Sequence, residues 1–249
     1  MAEGQRFAVV TGAAGGIGQA IAREFAAAGY AVIATDCVAR PAGLPCSLYI
    51  EADLLRTVAD EAFAAEVFGR ITAALGGQGL AALVNNAALQ VLGGADSLSR
   101  SDWRRTLDVN LLAPFVWTQA LLPALESARG SVLNVSSIHA RLTKKNFVAY
   151  ATSKAALSGM TRALAVDLGG RVRINAIEPA AIATEMLKAG FEGKPQQFAA
   201  LEGCHPVGRT GQPEEVAALV RAVVEGAGFL HGACIAMDGG IGGCLLDPD

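Results

Sequence analysis

The chain has 249 residues, 52% hydrophobic and 17% charged, with a formal net charge of −3. Such an apolar chain excludes disorder, and without a basic block neither nucleic acid nor an anionic membrane is an expected partner. The apolar runs are short and interrupted, so no transmembrane helix is expected, and the polar start, Met1-Ala-Glu-Gly-Gln-Arg6, does not read as a secretory leader. Five scattered cysteines without Cys-x-x-Cys spacing suit a reduced, cytoplasmic protein with no disulfide framework. His139, His205 and His231 lie too far apart for metal-ligand spacing, so no metal is expected. The length suits one large α/β domain over residues 1–249.

Residues 7–11 form a short apolar run that enters the turn Gly12-Ala-Ala-Gly-Gly16-Ile17-Gly18, and a helix is expected over 19–28, stopped by Gly29. Strand, glycine turn and helix together make a pyrophosphate site: glycines admit the ligand to the backbone, and the helix start supplies free N–H groups. A second strand over 30–35 is closed by Asp36, placed to accept hydrogen bonds from a ribose 2′-hydroxyl and to repel a 2′-phosphate. Asp36 therefore favours NAD over NADP, with Arg40 the nearest opposing cation. A third strand over 47–51 leads to Asp53-Leu54, in the loop an adenine would face. One helix is expected over 55–75 and a buried strand over 80–84, running into Asn85-Asn86-Ala87-Ala88. Strands alternating with helices imply a Rossmann-type, doubly wound parallel sheet of about seven strands, in a three-layer α/β/α arrangement. Ligands bind such sheets at the carboxyl ends of the strands, where the asparagine pair lies.

A long helix is expected from the cap candidates Ser99 to Asp102 up to Gly130. Asn110 is a polar residue within it, and Pro114 should disturb the hydrogen-bond ladder there, freeing a carbonyl for water. A fifth strand over 131–135 ends at Ser136-Ser137, of which only one hydroxyl should face the cleft. Tyr150-Ala-Thr-Ser-Lys154 then places a phenol and an ammonium on one helical face. The lysine charge is expected to lower the phenol pKa from its ordinary value near ~10. A sixth strand is expected over 173–177, a mobile lid over about 184–206, a helix from Pro213 and a last strand over 233–237.

These motifs, in this order, resemble the short-chain dehydrogenase/reductase family of single-domain type. The match runs almost end to end: Thr11-Gly12-x-x-x-Gly16-Ile17-Gly18, Asp36, Asp53-Leu54, Asn85-Asn86-Ala87, Asn110, Ser137, Tyr150-x-x-x-Lys154, Pro179, Ile182-x-Thr184, the run from Gly208 to Val216 and Asp238-Gly239-Gly240. The resemblance implies a hydride transfer between NAD(H) and a secondary alcohol or ketone. It makes Tyr150 the general acid/base, Lys154 its pKa modifier and ribose ligand, Ser137 (rather than Ser136) the substrate-oxygen ligand, and Asn110 the holder of a relay water. It places Gly12, Gly16, Ile17, Gly18, Asp36, Asp53, Leu54, Asn86, Ala87, Tyr150, Lys154, Pro179, Ile182 and Thr184 against the cofactor. It also implies a homotetramer, or a homodimer, built on the long helices near Asn110 and after Tyr150.

Three residues depart from the family pattern: Ala88 and Ala180, where glycine is usual, and Glu178 before Pro179. If position 180 needs a positive φ, Ala180 costs up to about 1 kcal/mol; Glu178 reads first as a solvated or paired carboxylate. His139, Arg141 and Gln90 read as cleft-edge residues, and nothing in the sequence identifies the substrate. Competing functions are an NADPH-dependent 3-oxoacyl-thioester reductase, which Asp36 opposes, and a non-catalytic dinucleotide-binding regulator, which need not keep Ser137, Tyr150 and Lys154. A methyltransferase would share the fold but leave the tyrosine–lysine pair unexplained.

Overall fold

The computed structural model describes residues 4–226 and 228–245; residues 1–3, part of the polar start noted above, lie outside the described residues, as do 227 and 246–249. The strands are β1 (Phe7–Thr11), β2 (Ala31–Asp36), β3 (Leu48–Glu51), β4 (Ala82–Asn85), β5 (Ser131–Val135), β6 (Arg173–Pro179) and β7 (Cys234–Met237). They form one parallel sheet in the order β3-β2-β1-β4-β5-β6-β7. The chain winds outward from β1 in both directions, so the β1/β4 boundary is the switch point where such sheets open a crevice. This is the doubly wound fold expected from the alternation of elements.

The two-residue period of the strands builds the two cores. Ala8 and Val10 of β1, with Ala82 and Val84 of β4, face α1 (Gly16–Ala27) and, at the end of the chain, α9 (Pro213–Gly226). Phe7, Val9 and Leu83 face the other layer, where α3 (Glu61–Leu75) contributes Val67 and Ile71, and α5 (Ala113–Ala128) contributes Trp117 and Leu121. The same layer holds Ala165 and Leu168 of α6 (Val148–Leu168).

Three local expectations change. The first helix begins at Gly16, so the last glycines of the turn are its opening residues. The helix expected over 55–75 is two, α2 (Leu54–Ala59) and α3, because Asp60 adopts extended backbone and its carboxylate accepts from Phe63 N at 3.0 Å. The long helix after Ser99 is likewise divided into α4 (Arg100–Leu107), a π-helical turn (Asp108–Leu112) and α5. Pro114 has no N–H to give Asn110, and the ladder slips so that Ala113 N bonds Asp108 O. The segment expected as a lid contains α7 (Glu185–Gly190) and α8 (Pro195–Gly203).

Candidate active site

The cleft begins where β1 ends. Gly12 takes φ +66°, and a Cβ there would lie 2.7 Å from Ala87 Cα; a Cβ on Gly18 would strike the carbonyl oxygen of Gly12. These two glycines therefore let the turn fold on itself and onto the loop after β4. Asn86 fastens that contact, its Nδ2 donating to Thr11 O (2.9 Å) and Gly12 O (3.0 Å). The Thr11 hydroxyl, to which the sequence reading gave no role, accepts from Asn86 N and Ala87 N at 3.0 and 3.1 Å. Its signal was faint: a hydroxyl residue at a strand end just before the glycine turn.

At the head of α1 the N-cap is Gly15, no side chain caps the helix and no acid stands in the first turn. A helix start left with main-chain donors and no competing anion suits a pyrophosphate. Thr184 closes the far side, its methyl 3.1 Å from the Cβ position of Gly16 while its hydroxyl caps α7 through Leu187 N. Asp36, at the end of β2, accepts from Ala14 N at 2.9 Å, so its carboxylate and the glycine turn hold each other. Asp53 caps α2 through Leu55 N (2.9 Å), whereas the Leu54 side chain is buried among core residues and leaves only its main chain for a ligand. Ile17, in the first turn of α1, packs against the core, and Ile182 is buried in the same cluster. Pro179 ends β6 opposite Met237, and Ala180 N donates to Met237 O. Among described non-glycine residues only Arg129 and Asn146 have positive φ; Ala88 and Ala180 fit their places without that strain.

The second half of the site lies at the ends of β5 and β6. Ser137 begins a 3-10 turn (Ile138–Ala140) and accepts from His139 N at 3.2 Å, while its hydroxyl stands near enough to the Tyr150 phenol to favour the phenolate. Ser136 points elsewhere, its Oγ 3.0 Å from both Lys154 O and Ser158 Oγ. The single cleft-facing hydroxyl is thus Ser137. Tyr150 lies in the first turn of α6, and Lys154, only 2% exposed, reaches back so that Nζ donates to Val135 O at 2.8 Å.

The electrostatics correct one expectation. Burial raises the Tyr150 phenol above its ordinary pKa, opposed only by the neighbouring Ser137 hydroxyl. Lys154 does not bring it down, because its ammonium is drawn to Val135, 5.7 Å from the centre of the phenol ring, and is itself desolvated. That burial lowers the lysine pKa to about 7. His139 stacks flat on Phe147 at 4.4 Å and meets the Tyr150 ring edge-on at 5.7 Å, and burial followed by the Lys144 charge lowers its pKa.

Asn110 is fully buried in the π-helical turn with its side chain saturated. Its Oδ1 accepts from Leu89 N (2.7 Å), and its Nδ2 donates to Leu89 O (2.8 Å) and Ser153 Oγ (2.9 Å). It therefore ties the loop after β4 to α6. What Asn110 can offer a water is its main-chain carbonyl, since Pro114 cannot donate to it. Ser153 carried no spacing signal of its own. Of the asparagine pair, Asn85 instead donates to Asn134 across β4 and β5 at 2.8 Å. Among the described residues no cluster of His, Cys, Asp or Glu is arranged to hold a metal.

Residues 12–242 match the family model described as "Enoyl-(Acyl carrier protein) reductase". D-threitol dehydrogenase of Mycolicibacterium smegmatis is 35% identical, with 94% of this chain and 92% of that protein aligned. The chain belongs to the short-chain dehydrogenase/reductase family. This dehydrogenase/reductase is also similar to the solved, ligand-free aldohexose dehydrogenase of Thermoplasma acidophilum, with a TM-score of 0.90, 30% identity and coverage of 98% and 97% of the two chains. A protein of Beutenbergia cavernae described as an NAD(P)-dependent gluconate 5-dehydrogenase, solved with NADP at low occupancy, gives a TM-score of 0.83, 31% identity and coverage of 98% of each chain. The short-chain dehydrogenase/reductase is therefore an oxidoreductase, and among its described residues no helix is long and apolar enough to cross a membrane.

Proposed function

We propose that this enzyme interconverts a secondary alcohol and its ketone with NAD(H). One observation carries the reading: the Tyr150 phenol neighbours the Ser137 hydroxyl and buried Lys154, on the same cleft as the uncapped glycine turn. A nicotinamide cofactor would supply the hydride. Gly12, Gly16, Ile17 and Gly18 would hold its pyrophosphate, and Asp36 its adenosine ribose. Asp53, Leu54, Asn86 and Ala87 would hold the adenine and the middle of the molecule. Pro179, Ile182 and Thr184 would cover the nicotinamide end, with Lys154 on its ribose. Asp36 supports NAD over NADP because a 2′-phosphate would face its carboxylate.

Ser137 donates to the substrate oxygen and steadies the charge that grows on it. Tyr150, whose burial favours the protonated phenol, gives its proton to a carbonyl oxygen in reduction, and in oxidation its phenolate takes the proton of the alcohol. Lys154, poised near neutrality, passes a proton toward a water on the main-chain carbonyl of Asn110. Residues 184–206 act as the lid of one dinucleotide-binding domain spanning 1–249. The largely apolar groove of Leu107, Leu111, Leu112, Phe115, Ala156 and Met160, with Asp108 its one charged residue, suits pairing of copies into a tetramer, and the free cysteines suit the cytoplasm.

The deciding experiment titrates NAD and NADP, then screens polyols, diols and cyclic secondary alcohols by nicotinamide absorbance. Ser137→Ala should lower kcat about 100- to 1000-fold, and Tyr150→Phe about 100- to 10,000-fold. Wild-type turnover by the Tyr150→Phe protein would remove the proposed acid/base. Tighter binding of NADP than NAD would overturn the role of Asp36.

A further inference from the structure

Glu178, singled out above as a departure from the family pattern, is 1% exposed at the end of β6. Its two oxygens serve two different segments. Oε1 accepts from Ser158 Oγ at 2.8 Å, and Oε2 accepts from Arg141 Nε at 2.6 Å. Ser158 lies one turn beyond Lys154 on α6, so Tyr150, Lys154 and Ser158 fall on one helical face. Arg141 ends the 3-10 turn that Ser137 begins. Ser136 joins the same group, 3.0 Å from Ser158 Oγ and 3.0 Å from the main-chain oxygen of Lys154. Arg141 Nη2 also lies 3.9 Å from Asp238 Oδ2 beyond β7, and Asp238 Oδ1 in turn accepts from Gly240 N.

We propose that Glu178 is a positioning residue that locks α6 and the Ser137 turn to one point on β6, fixing Tyr150 against Ser137. The proposal rests on the reading of Ser137, Tyr150 and Lys154 as the acid/base machinery. A buried carboxylate is costly, and an apolar residue would fill the same space without desolvation. This carboxylate is satisfied instead by one donor from each of the two segments that carry the reacting groups. The Ser137 turn is the less anchored of the two, since it runs into an open stretch: Arg141 is half exposed, and residues 141–146 are all exposed. A small change in the Tyr150–Ser137 separation acts directly on the rate, since displacements near 1 Å cost about 100-fold.

Two readouts test it on the full-length protein. The first needs no turnover: tyrosinate absorbance is titrated with pH, and Tyr150 is isolated from Tyr30 and Tyr49 by subtracting a Tyr150→Phe background. In Glu178→Ala the freed Ser137 turn admits water, and the Tyr150 pKa falls toward its ordinary value. In Glu178→Gln an amide still bonds Arg141 and Ser158, and Tyr150 stays near wild type. Both variants remove the same charge, so their difference separates position from direct electrostatics. The charged groups facing these residues, Arg141 and Asp238 around Glu178 and Lys154, His139 and Lys144 around Tyr150, are common to both.

The second readout is kinetic: Glu178→Ala lowers kcat about 10- to 100-fold, leaves NADH affinity by fluorescence within about twofold (less than 0.5 kcal/mol), and is largely rescued in Glu178→Gln. If Glu178→Ala does not fold, Ser158→Ala and Arg141→Met each remove one arm and should lower kcat in protein whose circular dichroism at the assay temperature is that of the folded wild type. An unmoved Tyr150 titration and unchanged kcat in the single-arm or Ala variants would overturn the proposal, as would Gln and Ala variants that behave alike. Full activity in Tyr150→Phe would instead sink the acid/base reading, and the titration would still judge Glu178.

Discussion

Lys154→Met should make the protein more stable and inactive, by an amount that depends on pH. The wild-type ammonium is buried, with the carbonyl of Val135 as its partner. Its pKa falls from 10.5 to about 7 by desolvation alone. The unfolded chain therefore binds more protons than the folded one between those values, and stability rises with pH across that window. The contribution is absent below pH 7, where both states are charged, and is complete only above 10.5. At about 1.36 kcal/mol per pKa unit, the charged lysine costs folding on the order of 5 kcal/mol below pH 6. About 2 kcal/mol of that should be relieved between pH 7 and pH 9. Methionine removes the cost but strands the Val135 carbonyl, a loss of about 1–3 kcal/mol. The variant should therefore be about 2–4 kcal/mol more stable than wild type at pH 6, with the gap closing by pH 9. Urea denaturation at one protein concentration, at pH 6, 7.5 and 9, measures it. Parallel stability curves for the two proteins across that range would refute the buried-ammonium argument.

Gly18→Ala would push a methyl onto the Gly12 carbonyl, so the turn must open; NADH affinity should collapse while the far half of the sheet stays folded, as fluorescence titration and circular dichroism would show. Asn110→Ala leaves the Leu89 N–H and carbonyl without their side-chain partner, takes one of two partners from Ser153, and should cost about 1–3 kcal/mol in urea denaturation. Unchanged stability would mean that loop is held by something else. Asp36→Ala should improve NADP binding relative to NAD about tenfold or more, about 1.4 kcal/mol; an unchanged ratio in competition titrations would remove the discriminating role given to its carboxylate.

Much of the site was legible because its chemistry depends on spacing within single elements. The Gly12–Gly18 turn was readable from glycines between a strand and a helix, and Tyr150 and Lys154 from the four-residue helical repeat. The slip of the helix around Asn110 was readable from Pro114, since a missing N–H acts locally wherever the proline sits. The break at Asp60 was missed because the apolar pattern runs through it, and only the carboxylate bond to Phe63 N shows the restart. The role of the Thr11 hydroxyl could not be read from its place before the glycine turn, and Ser153 and Ser158 were invisible as site residues, for their partners lie 75, 43 and 20 positions away.

By itself the sequence determined the alternation that makes a parallel sheet, the strand ends where chemistry gathers, and which residue types stand there. Those properties follow from backbone periodicity and from turns that only glycine can make. Tertiary structure alone decided the charge states, because desolvation depends on everything packed around a group. It turned the expected lowering of the Tyr150 pKa into a rise, and placed the Lys154 ammonium on Val135. It also converted Glu178 from an odd carboxylate at a strand end into the shared anchor of Arg141 and Ser158. Three segments far apart in the chain had to meet before that carboxylate acquired a role.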